Sequence, residues 1–215
     1  MMAMLGVALT FGAQNPANAN ATCEIKDEWI NKHYDSSLDY QNTSVKTDFF
    51  LLVYSNAKEF CKMKRQAGEE KKFPLQCGST NNFGWVIHGL WGESTSAFLK
   101  GDKKGHPRFC KGDLGLVPLN ELLPYLCMSP ETTLLQGEWE KHGACDFNTP
   151  SEYFKKEKEL YEKYETPPSD LDAKNAAAWL QKKYPELKDK SFYIRGGEYG
   201  ICYSTAFDVM SCPEK

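Results

Sequence analysis

Apolar and polar positions change their spacing several times along the chain. Residues 48–55, DFFLLVYS, form a continuous apolar run between polar flanks, which predicts a buried strand. Residues 84–89, GWVIHG, form a second short β-type run that ends in glycine. The C-terminal stretch 191–213 has β-rich runs broken by glycines, a pattern typical of strands joined by hairpins.

Helical signals lie between and after these runs. Thr149 as the N-cap, Pro150 in the first turn and Glu152 three residues after the cap predict a helix start, and the Lys and Glu residues that follow favour a solvated face. The pattern therefore predicts one α+β domain with a central antiparallel β-sheet flanked by several helices. The predicted helices are residues 56–65, a short one at 117–127 interrupted at Pro124, 149–165, and 169–184.

The N-terminal residues 1–21 carry no charged side chain. An apolar run from Ala3 to Ala13 precedes Ala19-Asn20-Ala21, which has the A-x-A form of a signal-peptidase site. We therefore expect a signal peptide at 1–21 and a mature domain at 22–215, with no membrane association of the mature form. Because no Lys or Arg precedes the apolar run, the true start codon stays open, and a disordered tail is the alternative.

Eight cysteines are spread widely and include no C-x-x-C pair, which argues against zinc ribbons and thioredoxin-like redox sites. An even number behind a signal peptide predicts four disulfides that staple the domain. Buried free thiols in a reducing cytosol are the alternative. The net charge of -3 gives no broadly cationic surface, so a nucleic acid would have to bind in a local groove.

Two of the four histidines lie in similar surroundings, in GWVIHGLWGES (84–94) and GEWEKHGAC (137–145). If the second segment is helical, Glu138, Lys141 and His142 share one face. A surface Glu-Lys pair beside an unrelated histidine has the same pattern. Together with His88, however, His142 completes a pair of imidazoles whose pKa values near 6.5 allow one to act as a base and the other as an acid.

Such a pair can cleave RNA without a metal or cofactor. The base takes the proton of the ribose 2′-hydroxyl, and the acid protonates the departing 5′-oxygen. A 2′,3′-cyclic phosphate forms first and is then opened to a 3′-phosphate. Lys141 would supply positive charge to the phosphorane, and Glu138 would orient an imidazole or donate to a phosphate oxygen when protonated. DNA lacks the 2′-hydroxyl and would not be cleaved.

The segments IHGLW and EWEKHGAC resemble the two active-site segments of the ribonuclease T2 family, which are secreted acid endoribonucleases. The flanking FFLLVYS and GICYSTAFDVMSCP extend the resemblance over about residues 22–213. The resemblance favours His142 as the base and His88 as the acid, which spacing alone does not assign. It also implies that Trp91 stacks on a base and that Glu93 touches the same base; a core role is the alternative for Trp91.

The sequence departs from the family pattern twice. Gly137 replaces a histidine that helps many members to hold the phosphate, and Gly92 replaces a common proline. Loss of that histidine would weaken phosphate binding more than proton transfer. His106 and Arg108, in the basic loop 100–111, could compensate, although an ordinary solvated loop is the simpler interpretation. His33 receives no role.

The same resemblance implies four disulfide pairings: Cys110–Cys145, Cys202–Cys212, Cys77–Cys127 and Cys23–Cys61. The first would attach the basic loop to the end of the second motif and brace His142. Each would stabilise the fold by roughly 2–4 kcal/mol.

The sequence therefore predicts a monomeric, metal-independent endoribonuclease of single-stranded RNA. We expect it to be secreted or periplasmic, or vacuolar in a eukaryotic host. A catalytically weakened RNA-binding or signalling relative, marked by Gly137, is the alternative. Retention of His88, Glu138, Lys141 and His142 argues against it.

Overall fold

The computed structural model describes residues 23–214, so the signal peptide expected at 1–21 lies outside the described residues. Five strands form one antiparallel sheet in the order β2-β1-β4-β3, and β5 pairs with β4. The strands are β1 (Phe49–Asn56), β2 (Trp85–Glu93), β3 (Tyr193–Arg195), β4 (Glu198–Tyr203) and β5 (Val209–Met210).

Helices flank this sheet, which confirms the α+β fold predicted from the sequence. The α-helices are α1 (Ala57–Gln66), α2 (Thr95–Lys100), α3 (Leu119–Leu122), α4 (Thr132–Glu138), α5 (Ala144–Asp146), α6 (Pro150–Lys163) and α7 (Ala173–Lys183). Short 3-10 turns occupy Asp27–Trp29, Glu70–Lys72, Leu123–Tyr125 and Pro185–Leu187. A π-helical turn, Trp139–Gly143, follows α4 directly. No helix among residues 23–214 is long and apolar enough to cross a membrane.

Apolar side chains cover both faces of β1, which explains why residues 48–55 read as a continuous apolar run. Phe50, Leu52 and Tyr54 join the large core beneath the helices. Phe49 and Leu51, on the opposite face, join a smaller cluster that includes the two cysteines of the disulfide between β4 and the C-terminal segment. β1 is therefore a rigid central strand, and β2 and β4, which carry residues of the candidate site, pair with its two edges.

β2 is longer than the run 84–89 suggested, because the chain continues to pair with β1 as far as Glu93. The regular register is broken once. Val53 pairs with Gly89 and Tyr54 pairs with Ile87, so His88 is the additional residue of a β-bulge. Bulges bend a strand and redirect a side chain, and they are frequent beside active sites.

Two of the four expected disulfides are present, Cys110–Cys145 and Cys202–Cys212. The other two pairings were wrong: the structure contains Cys23–Cys127 and Cys61–Cys77. The chain folds back after α1, which brings the Cα atoms of Cys61 and Cys77 within 5.3 Å of each other. The N-terminal segment is held elsewhere, since the backbone of Glu24 bonds the side chain of Asn81 and Cys23 lies next to Cys127. The reversal of the chain after α1 thus determines the pairing of Cys61 with Cys77, which the spacing of the cysteines left open.

Candidate active site

The bulge of β2 and the π turn after α4 bring the two predicted imidazoles to one open cleft with a volume of about 940 Å³. The Trp91 ring lies between them, edge-on to His88 at 5.1 Å and stacked on His142 at 5.3 Å between ring centroids. Glu138 and Lys141 line the same cleft. Residues from two distant segments of the sequence therefore form one compact group.

Glu138 connects the members of this group. Its Oε1 atom lies 3.7 Å from Nε2 of His88, and its Oε2 atom lies 3.7 Å from Nε2 of His142. The indole of Trp91 donates a hydrogen bond of 2.7 Å to Oε2. Burial raises the pKa of Glu138 above its usual value, although the neighbouring His88 and the bond from Trp91 oppose the shift. The raised pKa favours a protonated carboxyl that can donate to an incoming oxygen.

The glycines that follow the two histidines are required by packing. A Cβ atom at Gly89 would overlap Oε2 of Glu138 and lie 2.7 Å from Nε1 of Trp91. A Cβ atom at Gly143 would lie 2.7 Å from the ring of Tyr153. Gly89 thus leaves room for the carboxyl group of Glu138 between the imidazoles. A glycine is needed there because of this packing and not because of a turn.

The π turn carries Lys141 and His142 and is held by the basic loop. The backbone N–H of Phe109 donates to the carbonyl oxygen of Lys141 at 2.9 Å, and Cys110–Cys145 links the loop to the residues just beyond the turn. Single π turns inside α-helices are frequent at functional sites. The predicted brace on His142 is therefore present in the geometry.

His88 has a partner that the sequence did not reveal. Its Nδ1 atom lies 2.6 Å from Oε1 of Glu198, the first residue of β4. Burial lowers the pKa of His88, but the hydrogen bond to Glu198 and the charges of Glu138 and Glu198 outweigh it, so the pKa is raised overall. Glu198 lies 110 residues from His88 in a strand with no motif of its own, and only the strand pairing brings them together.

His142 has the opposite environment. It is 4% exposed, and its Nδ1 atom has no hydrogen-bond partner among the described residues. Burial, followed by the positive charges of Arg108 and Lys141, lowers its pKa well below the usual value. One imidazole of the pair is thus biased towards the charged form and the other towards the neutral form.

Lys141 extends into the cleft with a side chain that is 33% exposed. Its ammonium group lies 3.3 Å from a carboxylate oxygen of Asp39, a more exposed residue on the rim. An exposed ion pair of this kind is weak and is exchanged easily for another anion.

The part of the basic loop that contains His106 and Arg108 is buried, so the simpler interpretation of a solvated loop was wrong there. Their exposed fractions are 6% and 5%, and both contact Glu93, whose oxygens lie 2.5 Å from Nη2 of Arg108 and from Nδ1 of His106. Arg108 also donates to the carbonyl oxygen of Gly92 at 2.8 Å. These contacts fix the end of β2 against the loop. The side chain of Glu93 lines the cleft, but both carboxylate oxygens are already engaged there.

Neighbouring side chains limit the space at both positions that depart from the family pattern. A Cβ atom at Gly137 would lie 3.0 Å from Oγ of Ser36, a tight contact that a shift of a few tenths of an ångström relieves. A Cβ atom at Gly92 would overlap the oxygen atoms of the hydrogen bond between Thr47 and Asp146, so a larger residue there would displace this bond.

A second depression continues from the cleft on the side of Gly137. It is lined by His33, to which the sequence assigned nothing, and by Lys64, Lys71 and Lys72. His88 and Lys141 line both depressions. The two depressions therefore meet at His88 and Lys141.

Carboxylates that could hold a cation meet elsewhere in the described part of the chain. Asp35, Asp113 and Glu140 bring oxygen atoms within 4.8 Å of one another. None of the three lines the cleft of His88 and His142.

The structure is thus an α+β domain in which two imidazoles lie on either side of one buried carboxyl group. The chain belongs to the ribonuclease T2 family, whose family model matches residues 47–195. It is 39% identical to a "Probable ribonuclease" of Haemophilus influenzae over 178 residues, which is 81% of this chain and 64% of the relative. It is 25% identical to a "Ribonuclease" of Aeromonas hydrophila over 134 residues, which is 62% of this chain and 54% of the relative.

The fold is also that of a solved structure. An RNase-related protein from Calystegia sepium superposes with a TM-score of 0.53 and 18% identity over 80% of this chain and 93% of that protein. At this identity the likeness concerns the fold alone. The two sequence relatives are longer, since this chain spans less than two thirds of either.

Proposed function

We propose that the protein is an endoribonuclease that cleaves single-stranded RNA by metal-independent transesterification. The reaction proceeds through a 2′,3′-cyclic phosphate to 3′-phosphate ends. The observation that carries this proposal is the meeting of His88 and His142 in one cleft, each with Nε2 3.7 Å from an oxygen of Glu138. Cleavage needs one neutral and one protonated histidine at the same pH, and the opposite directions of their pKa shifts agree with that need. Membership of the ribonuclease T2 family and the names of the two relatives support it.

In the first step, neutral His142 takes the proton of the ribose 2′-hydroxyl, and the 2′-oxygen attacks phosphorus. His88 delivers a proton from Nε2 to the departing 5′-oxygen, which leaves a 2′,3′-cyclic phosphate. In the second step, water attacks the cyclic phosphate with the roles of the two imidazoles reversed.

Glu138 and Lys141 stabilise the charge that builds on the phosphorane. Lys141 offers its ammonium group at the rim of the cleft, after exchange of Asp39 for a phosphate oxygen. Glu138, whose pKa is raised by burial, donates a hydrogen bond in its protonated form. Both contributions depend on the transition state and therefore act on the rate more than on binding.

Trp91 and Glu93 form the pocket for the base next to the scissile phosphate. Trp91 is half-buried, packs against the small core cluster and lines the cleft, so it serves as an anchor and as a stacking surface. Stacking of this kind contributes about 1–3 kcal/mol per base. Glu93, held by the basic loop, shapes the pocket by its backbone and the buried ion pairs around it.

Single strands suit this cleft better than duplexes. A flexible strand can reach the in-line geometry of 2′-attack, and its unstacked bases can lie on aromatic rings. DNA, without a 2′-hydroxyl, is not a substrate. The four disulfides, with no free cysteine among the described residues, favour an oxidising compartment. We therefore propose a secreted or periplasmic monomer, vacuolar in a eukaryote, in which residues 22–215 follow a cleaved signal peptide.

The experiment is cleavage of a short single-stranded RNA in EDTA by the wild type and His142→Ala, with the product ends identified. We expect cyclic phosphate from the wild type and a loss of about a hundredfold or more in the variant. Thermal unfolding of both proteins serves as the folding control. Binding of RNA without cleavage by the wild type would instead support the RNA-binding alternative associated with Gly137.

A further inference from the structure

We propose that Glu198 is the positioning residue of the general acid: its carboxylate holds the Nδ1–H of His88, so that Nε2 faces the scissile phosphate. The proposal rests on the ribonuclease function proposed above and extends it by one residue outside the two motifs. Glu198 does not touch the reacting atoms and acts only through the imidazole.

The sheet itself sets this contact. Ser55 of β1 pairs with Val86 of β2 on one side and with Glu198 of β4 on the other. This small residue separates the glutamate from β2, and the bulge at His88 redirects the imidazole. The resulting distance of 2.6 Å between Nδ1 and Oε1 is that of a strong charge-assisted hydrogen bond.

A carboxylate at Nδ1 determines which ring nitrogen carries the transferable proton. When Nδ1–H is donated to Glu198, the neutral ring has its free lone pair at Nε2, and the charged ring has its acidic proton there. Nε2 is also the atom directed towards Glu138, at 3.7 Å from Oε1. The pair of His88 and Glu198 thus places the transferable proton on the ring nitrogen that faces the cleft and not the sheet.

Several charged groups surround this pair. His88 faces Glu198 from β4, Glu138 from α4, and Lys141 and His142 from the π turn. The two carboxylates favour the imidazolium form, and Lys141 opposes it. On the other side, Glu198 pairs with Arg195 across the β3–β4 hairpin. Burial and the charge of Glu198 raise the pKa of the nearby Tyr193.

The contrast with His142 indicates what Glu198 adds. The Nδ1 atom of His142 has no hydrogen-bond partner among the described residues, and positive charges surround that ring. Of the two imidazoles, His88 has a carboxylate at Nδ1 and a raised pKa, whereas His142 has neither. Glu198 therefore distinguishes the acid from the base.

The test compares Glu198→Gln with the wild type on two substrates. One is a dinucleoside phosphate, whose 5′-oxygen must be protonated as it leaves. The other is a nucleoside 3′-(4-nitrophenyl phosphate), whose leaving group departs without a proton. We expect kcat/KM on the dinucleotide to fall about 10- to 100-fold near neutral pH, by analogy with the loss that follows removal of the hydrogen-bond partner of a metal-ligating histidine. On the activated substrate the loss should be less than about threefold, since general-acid assistance is not needed there.

The pH profile supplies a second readout. The acid must be protonated, so the alkaline limb of kcat/KM follows the pKa of His88. Removal of the carboxylate lowers that pKa, and the alkaline limb should move to lower pH in Glu198→Gln while the acidic limb stays in place. Glu162→Gln is the matched control, because it removes a carboxylate that pairs with Lys158 on α6 and lies outside the cleft. It should leave both substrates and both limbs unchanged.

Equal losses on the two substrates, or an unmoved alkaline limb, would overturn the proposal. A wild type that cleaves neither substrate would instead contradict the ribonuclease function. A nitrogen-resolved NMR titration of the wild type requires no variant. It should show neutral His88 as the Nδ1–H tautomer, and finding the Nε2–H tautomer would equally reject the role of Glu198.

Discussion

Gly89→Ala tests the packing of the candidate site with the smallest possible change. The added Cβ would lie 2.6 Å from the carboxyl carbon of Glu138 and 2.7 Å from Nε1 of Trp91. Because two such atoms rest about 3.5–4 Å apart, the carboxyl must move by about 1 Å. Gly89 is not among the glycines with positive φ, so alanine brings no backbone strain and the effect comes from the side chain alone.

Two losses follow from that displacement. The hydrogen bond from Trp91 to Glu138 is broken or lengthened, which costs about 1–3 kcal/mol in the free energy of unfolding. A shift of about 1 Å in a group that positions the reacting atoms costs on the order of a hundredfold in rate. We therefore expect kcat/KM on single-stranded RNA to fall roughly a hundredfold, with a modest decrease in stability measured by chemical denaturation.

Gly115→Ala is the matched control, since no atom lies within 4 Å of the Cβ position there. It should retain the activity and stability of the wild type. If Gly89→Ala cleaved RNA within about threefold of the wild-type rate, the carboxyl between the imidazoles would not need its observed position, and the reasoning about the site would be refuted.

Three further predictions concern other parts of the molecule. Asp39→Asn should free Lys141 for the phosphorane and raise kcat about two- to threefold at low salt, an effect that should vanish at high ionic strength. Burial raises the pKa of Glu131 to about 8, so the folded state binds the extra proton and stability falls as the pH rises from about 4.5 to 8. Glu131→Gln should remove roughly 4 kcal/mol of that fall, measured by denaturant unfolding at pH 4.5 and 8.5; an unchanged dependence would contradict it. A non-reducing digest should link the peptide of Cys23 to that of Cys127, and any other partner for Cys23 would show this pairing to be wrong.

Local signals in the sequence were sufficient for several elements and for the residues of the two motifs, whereas α2 and α4 were not among the predicted helices. Thr149 caps α6 through its hydroxyl as its position before Pro150 predicted, and the apolar run at 48–55 is β1. His88 and His142 meet in one cleft as their motifs suggested. The first two inferences depend on residues within a few positions of one another, where chain geometry limits the outcome. The meeting of the two histidines instead agrees with the family resemblance of their motifs.

Contacts between distant segments of the chain could not be predicted from such local signals. His106 and Arg108 lie in a loop rich in Gly and Lys, a composition that favours exposure, yet the buried Glu93 of β2 draws both inward. The partner of Cys23 depended on the path of the N-terminal segment. Glu198 belongs to a strand whose sequence has no chemical signature. In each case a partner distant in the chain fixes the environment.

The proposed roles of the two imidazoles also depend on contacts between segments that are distant in the sequence. Both histidines precede a glycine in their motifs, and spacing alone gave no reason to call one the acid. The structure places a carboxylate at Nδ1 of His88, whereas the positive charges of Arg108 and Lys141 act on buried His142. Since a carboxylate stabilises imidazolium and cations destabilise it, the roles that we propose rest on tertiary contacts. A relative that kept both motifs but lost the carboxylate of β4 would therefore keep its base and have a weaker acid.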